Sequence, residues 1–224
     1  MMKRLFAIAA LLLFLVPAGA QTVIYYRRPM NFLTFEGGMS LSTITGFNNR
    51  AEGGWHPYFN VGMDLPLMQN VNMRLMVGYR NKSFTGVPTD DNPTAPPSHE
   101  IHAVELGLLY FDWYPFGQGP YLGAGLDFGG NILVRRLEAD GTKTLIKSEN
   151  LDALGLTMSY SLEAGYSFSF WPIGDRVAIF GRFSQDFFGA PFNKDYCSNN
   201  HLSRKMRCAN ISAGLRIPII MMRD

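Results

Sequence analysis

Residues 31–44 read NFLTFEGGMSLSTI. Taken alternately they fall into two rows. Leu33, Phe35, Gly37, Met39 and Leu41 are apolar or small, whereas Thr34, Glu36, Gly38, Ser40 and Ser42 are small or polar and carry a charge. Successive side chains on a strand point to opposite faces, so this pattern marks a strand held between two unlike environments.

The same two-row pattern returns seven times, at 55–65, 71–82, 101–114, 120–135, 151–170, 176–187 and 207–219. The fourth segment is the least regular: Val104, Leu106, Leu108 and Tyr110 oppose Ala103, Glu105, Gly107, Leu109 and Phe111. Most segments exceed the roughly 9–11 residues that a tilted strand needs to cross a bilayer. The connections alternate in length. Those at 67–70, 115–119 and 171–175 are short and rich in turn residues; those at 45–54, 83–100, 136–150 and 189–206 are long and polar. A soluble barrel hides its apolar row and shows charge to water. Here the polar row is rich in Gly and Ser, too small for a solvated surface, and the apolar row is nearly free of charge. The expected fold is therefore all-β, an eight-stranded antiparallel transmembrane up-and-down β-barrel. Its apolar row faces lipid, its loops are extracellular and both termini are periplasmic.

The N-terminus agrees with export. Lys3 and Arg4 precede an apolar run at 5–16, and Ala18-Gly19-Ala20 supplies small residues for cleavage. This predicts a signal peptide at 1–20, a periplasmic lead-in at 21–30 and the barrel domain at 31–224. The run is too short for a spanning helix. A net charge of +2 argues for neither nucleic acid nor an acidic substrate, whereas 23 Gly and 30 aromatic residues suit turns, crowded lumens and interfacial girdles. Export to an oxidising compartment predicts a disulfide between Cys197 and Cys208.

The polar row holds Glu36, Asp64, Glu105, Asp127 and Glu163 against Arg74, Arg80, Arg182 and Arg216. Eight strands enclose a space just wide enough for side chains, where charges must pair. The expectation is a luminal ion-pair plug rather than an ion path. His56, His99, His102 and His201 fall near the outer rim. Ser98-His99-Glu100 brings a hydroxyl, an imidazole and a carboxylate together, but neighbours on an extended chain point apart and make a poor triad. No metal-ligand spacing, phosphate loop or nucleophile elbow is present, so neither cofactor nor metal is expected. Arg204, Lys205 and Arg207 could meet lipopolysaccharide phosphates or lie on an ordinary solvated loop.

Several stretches taken in order resemble the small PorT-like outer-membrane β-barrels of Bacteroidota. They are Phe35-Glu36-Gly37-Gly38-Met39-Ser40, Phe59-Asn60-Val61-Gly62-Met63, the segment 105–115 ending in an aromatic-Pro turn, Tyr121-Leu122-Gly123-Ala124-Gly125, and Ala213-Gly214-Leu215-Arg216. The resemblance implies an eight-stranded barrel in the outer membrane and suggests a link to secretion; no residue marks the latter. The expected function is that of a non-enzymatic outer-membrane barrel acting through its loops or in an envelope protein complex. Its expected partners are outer-membrane lipid and lipopolysaccharide, not nucleic acid. A rim enzyme acting on lipid or peptide and a small-solute pore are the alternatives.

Overall fold

The computed structural model describes residues 32–44, 51–68, 70–87, 97–116, 119–138, 140–153, 155–170, 174–200, 202 and 206–218. The signal peptide and lead-in expected at 1–30 lie outside the described residues, as do His201, Arg204 and Lys205.

Eight long strands carry the wall: β1 (Phe32–Ile44), β3 (Trp55–Met68), β4 (Val71–Asn81), β6 (Ser98–Trp113), β7 (Gly119–Leu137), β9 (Leu156–Phe170), β10 (Gly174–Phe188) and β11 (Met206–Pro218). Each pairs antiparallel with its neighbour in this order, and β1 pairs with β11 from Phe32↔Pro218 to Ile44↔Met206. Pairing the first strand with the last closes the sheet, so the wall of the eight-stranded barrel has no free edge. Three short strands, β2 (Ala51–Gly53), β5 (Phe84–Gly86) and β8 (Lys143–Leu145), and one short helix, α1 (Lys194–Asn199), occupy the four long connections, all at the same end.

The alternation in the sequence becomes the inside and outside of this cylinder. On β1, Leu33, Phe35 and Met39 are exposed, while Thr34, Glu36, Ser40 and Ser42 are buried. Val61 and Met63 on β3, Leu75 and Val77 on β4, and Leu162 on β9 continue the apolar exterior. No helix among the described residues is long and apolar enough to cross a membrane, which says nothing about crossing by strands.

On β6 the phase breaks. The register of β6 with β7 slips between Gly107 and Leu109, and Leu108 and Leu109 both face outward, 47% and 48% exposed. Such a bulge inserts one residue and reverses the faces of everything after it. Tyr110 and Asp112 therefore turn inward and Phe111 outward, the reverse of the expected rows. A second slip, between His102 and Ala103 opposite Leu133 and Asn131, leaves Ile132 exposed and brings Val134 inside.

Glycine is required inside and merely permitted outside. A Cβ on Gly214 would run into the ring of Phe180 and lie 2.5 Å from the carbonyl oxygen of Phe35, whereas one on Gly37 meets nothing within 4 Å. Gly214→Val is thus expected to destabilise the folded barrel by about 1–3 kcal/mol. Gly37→Val should change it by less than about 0.5 kcal/mol. Urea titration of the folded fraction checks this, and equal effects would contradict it.

Candidate functional site

The lumen contains three tiers of ion pairs. In the tier nearest the short turns, Arg74 lies between three carboxylates: Nε is 2.9 Å from Asp64, Nη2 2.6 Å from Asp112 and Nη1 2.7 Å from Glu163. Arg216 engages the same three acids, with Nη1 3.1 Å from Asp64 and 2.9 Å from Asp112, and Nη2 against Glu163. In the middle tier, Arg182 joins Glu36 at 2.9 Å and Asp127 at 2.5 Å. In the upper tier, Arg80 binds Glu105 at 2.7 Å and Asp186 at 2.6 Å, and Lys82 reaches Asp186 at 3.0 Å. All nine residues singled out from the sequence are buried here, together with three that were not: Lys82, Asp112 and Asp186.

Aromatic rings connect the tiers. Tyr110 lies between Arg74 and Arg182, whose guanidinium carbons are 4.5 and 5.0 Å from its ring centre. Below them, Tyr114 and Tyr121 stack at 4.7 Å and pack with Phe180 as a floor. Among the described residues the lumen holds seven buried carboxylates and five cations, so the cations cannot satisfy every acid alone. Hydroxyls add donors: Tyr121 and Tyr110 donate to Glu163 at 2.8 and 3.2 Å, Ser161 donates to Asp127, and Ser212 to Glu36. Buried charges require this density of partners, since an unpaired ion in such a place is costly.

Above the upper tier the long connections fold together into an apolar cap. Phe84 of β5, Ile101 of β6, Val134 of β7, Ile146, and Phe192, Tyr196, Cys197 and Leu202 from the β10–β11 connection form one buried cluster, with Leu151 against it. These connections were expected to be simply polar. Their apolar residues are scattered singly among polar ones, and only their convergence makes a core. His99 is buried with them rather than lying on a solvated rim. Its Nδ1 lies 2.9 Å from the carbonyl oxygen of Pro97. That acceptor fixes the proton on Nδ1, so Nε2 accepts from the Tyr196 hydroxyl at 2.8 Å. Residues 98–103 of β6 project beyond its apolar exterior, and in this extension burial pushes the His99 imidazole down to about 4, with the nearby Arg136 adding to the effect. Ser98 and Glu100 occupy the opposite face of β6 from His99, so the three do not assemble.

The expected disulfide is absent: Cys197 and Cys208 are not within bonding distance. Cys208 sits at an inward position of β11, where its Sγ is 2.8 Å from Ser40 Oγ, while Cys197 is part of the cap. Export to an oxidising compartment would favour oxidation, but a disulfide also needs Cβ atoms about 3.5–4.5 Å apart. After denaturation without reductant, alkylation followed by mass spectrometry is expected to find two modified thiols per chain. Finding none would restore the disulfide.

Charge inside and hydrocarbon outside define a class: a β-barrel built for lipid as its outer solvent. No family model matches the chain, and neither does any curated protein. Solved structures do. Neisserial surface protein A (NspA) of Neisseria is similar at 9% identity, over 84% of this chain and 97% of that one, with a TM-score of 0.48. The attachment invasion locus protein Ail of Yersinia pestis shares 9% identity over 86% of this chain and 100% of its own, also at 0.48. The outer membrane protein OprG of Pseudomonas aeruginosa shares 9% over 85% and 95%, at 0.39. At such identities and TM-scores no property of these proteins passes to this chain. None of these matches supports the PorT-like family in particular.

Proposed function

We propose that this protein is an integral outer-membrane β-barrel with a closed lumen, not an enzyme, that acts through its capped outer end or within an envelope protein complex. The observation that carries this reading is the triple closure of the lumen by the tyrosine floor, the ion-pair tiers and the apolar cap. A filled interior leaves a barrel only its surfaces to work with. Outer-membrane lipid and lipopolysaccharide contact the apolar wall, the cap faces the exterior, and the termini lie on the periplasmic side. These assignments rest on the lipid-suited exterior and on the alternation of short turns with long connections. A part in secretion rests on the PorT-like resemblance alone, and cross-linked pull-down from envelopes would test it.

Purified protein inserted in planar bilayers is expected to show no steady single-channel current. A reproducible open conductance would overturn the closed-lumen reading in favour of a pore.

A further inference from the structure

The outside of β6 can be followed upward through Trp113, Phe111, Leu109, Leu106 and Val104. The apolar ladder then ends at His102, whose Nδ1 meets the Tyr79 hydroxyl at 2.5 Å, with Tyr79 in turn stacked on Phe59. A ring of aromatic and amphipathic side chains at this height marks the boundary between hydrocarbon and headgroups. One rung higher, about 7 Å along the strand, Glu100 pairs across the sheet with Arg135, and Arg135 with Leu145 of β8.

Here a single carboxylate gathers three basic groups. Lys143 Nζ lies 3.2 Å, His102 Nε2 3.4 Å and Arg135 Nη1 3.6 Å from Glu100 oxygens. Glu100 is more enclosed than Arg135 and Lys143, which present themselves outward: their side chains are 39% and 48% exposed, against 20% for Glu100. One acid against an arginine and a lysine leaves a net positive charge. Beside these charges stand Ile132 and Leu145, each 64% exposed, which would be costly to leave in water and are at home against acyl chains. Basic heads beside exposed apolar side chains at headgroup height suit a lipid that carries an anionic group.

We propose that the outer wall of the β6–β7–β8 extension is a binding site for the phosphate of a membrane lipid, with Arg135 and Lys143 as its ligands. Glu100 holds the two cations side by side, and Ile132 and Leu145 meet the proximal part of the acyl chains. The site rests on the membrane-barrel reading above and adds a chemical preference to it.

The test uses the full chain refolded in a neutral detergent and titrated with diphosphorylated lipid A, enzymatically dephosphorylated lipid A or inorganic phosphate, with native mass spectrometry as the readout. Phosphorylated lipid A is expected to bind at least about tenfold more tightly than the dephosphorylated form. Arg135→Gln with Lys143→Gln should abolish that preference while leaving the heat-dependent gel shift of the folded barrel unchanged. Equal binding of the two lipids, or full preference retained by the double variant, would overturn the proposal. Displacement by inorganic phosphate at lipid concentrations would overturn its lipid part and assign the site to a free anion. A chain that fails to insert into neutral vesicles, or shows no heat-dependent shift, would overturn the barrel reading instead, so the two failures are distinguishable.

Discussion

Arg74→Met is expected to cost the folded barrel about 3–5 kcal/mol. The methionine fills part of the volume but leaves Asp64, Asp112 and Glu163 facing Arg216 as the remaining described guanidinium. The loss is the penalty of carboxylates left buried without a full set of partners, rather than the intrinsic strength of the original pairs. A second substitution separates the two. Glu163→Gln in the Arg74→Met background removes one stranded charge and should recover part of the loss, whereas independent sites would add their costs. Urea unfolding in vesicles, followed by the folded band on unheated gels, gives both numbers. A loss under about 1 kcal/mol for Arg74→Met would mean that the tiers are hydrated and screened like surface pairs.

Phe192→Ala should dismantle the cap while sparing the barrel. The ring is almost fully buried, 4.8 Å from His99 and 4.9 Å from Tyr196. Removing it costs about 3–5 kcal/mol in a well-packed core, and the cap is a small core made of connections. Limited proteolysis is expected to cleave the variant at 189–202 at least about a hundredfold faster, as the open population rises by that free energy. The gel shift of the barrel should persist. Unchanged proteolysis would show that the cap does not depend on this cluster. Acid should act on the same contact. His99 titrates at about 4 when folded and near 6.5 when the cap is open. Its contribution is therefore fully present above about pH 6.5 and is lost as the pH falls toward 4, roughly 3 kcal/mol in all. Proteolysis at 189–202 should accelerate across that window in the wild type and much less in His99→Gln.

The strands were legible because alternation is local. Leu33 to Ser42, or Val71 to Arg80, declare two environments without reference to any other part of the chain, and the inward charges could be listed from parity. Lys82 and Asp186 share that parity and could have been included on the same signal. Asp112 could not. It follows the outward pair Leu108 and Leu109, and a bulge is stabilised by the partner strands rather than announced by its own residues. Val134 was hidden by the slip beside Ile132 for the same reason.

By itself, then, the sequence determined the class of structure: eight strands, an apolar exterior, a charged lumen and long connections at one end. Only the tertiary structure decided which acid meets which arginine, that Asp112 completes the lowest tier, and that Phe84, Ile146, Phe192 and Leu202 converge into a cap. It also separated Cys197 from Cys208 and brought Arg135 and Lys143 to one carboxylate. The physical division is one of range. The period of a strand is set by its own backbone, whereas a partner is set by register and loop closure across many intervening residues.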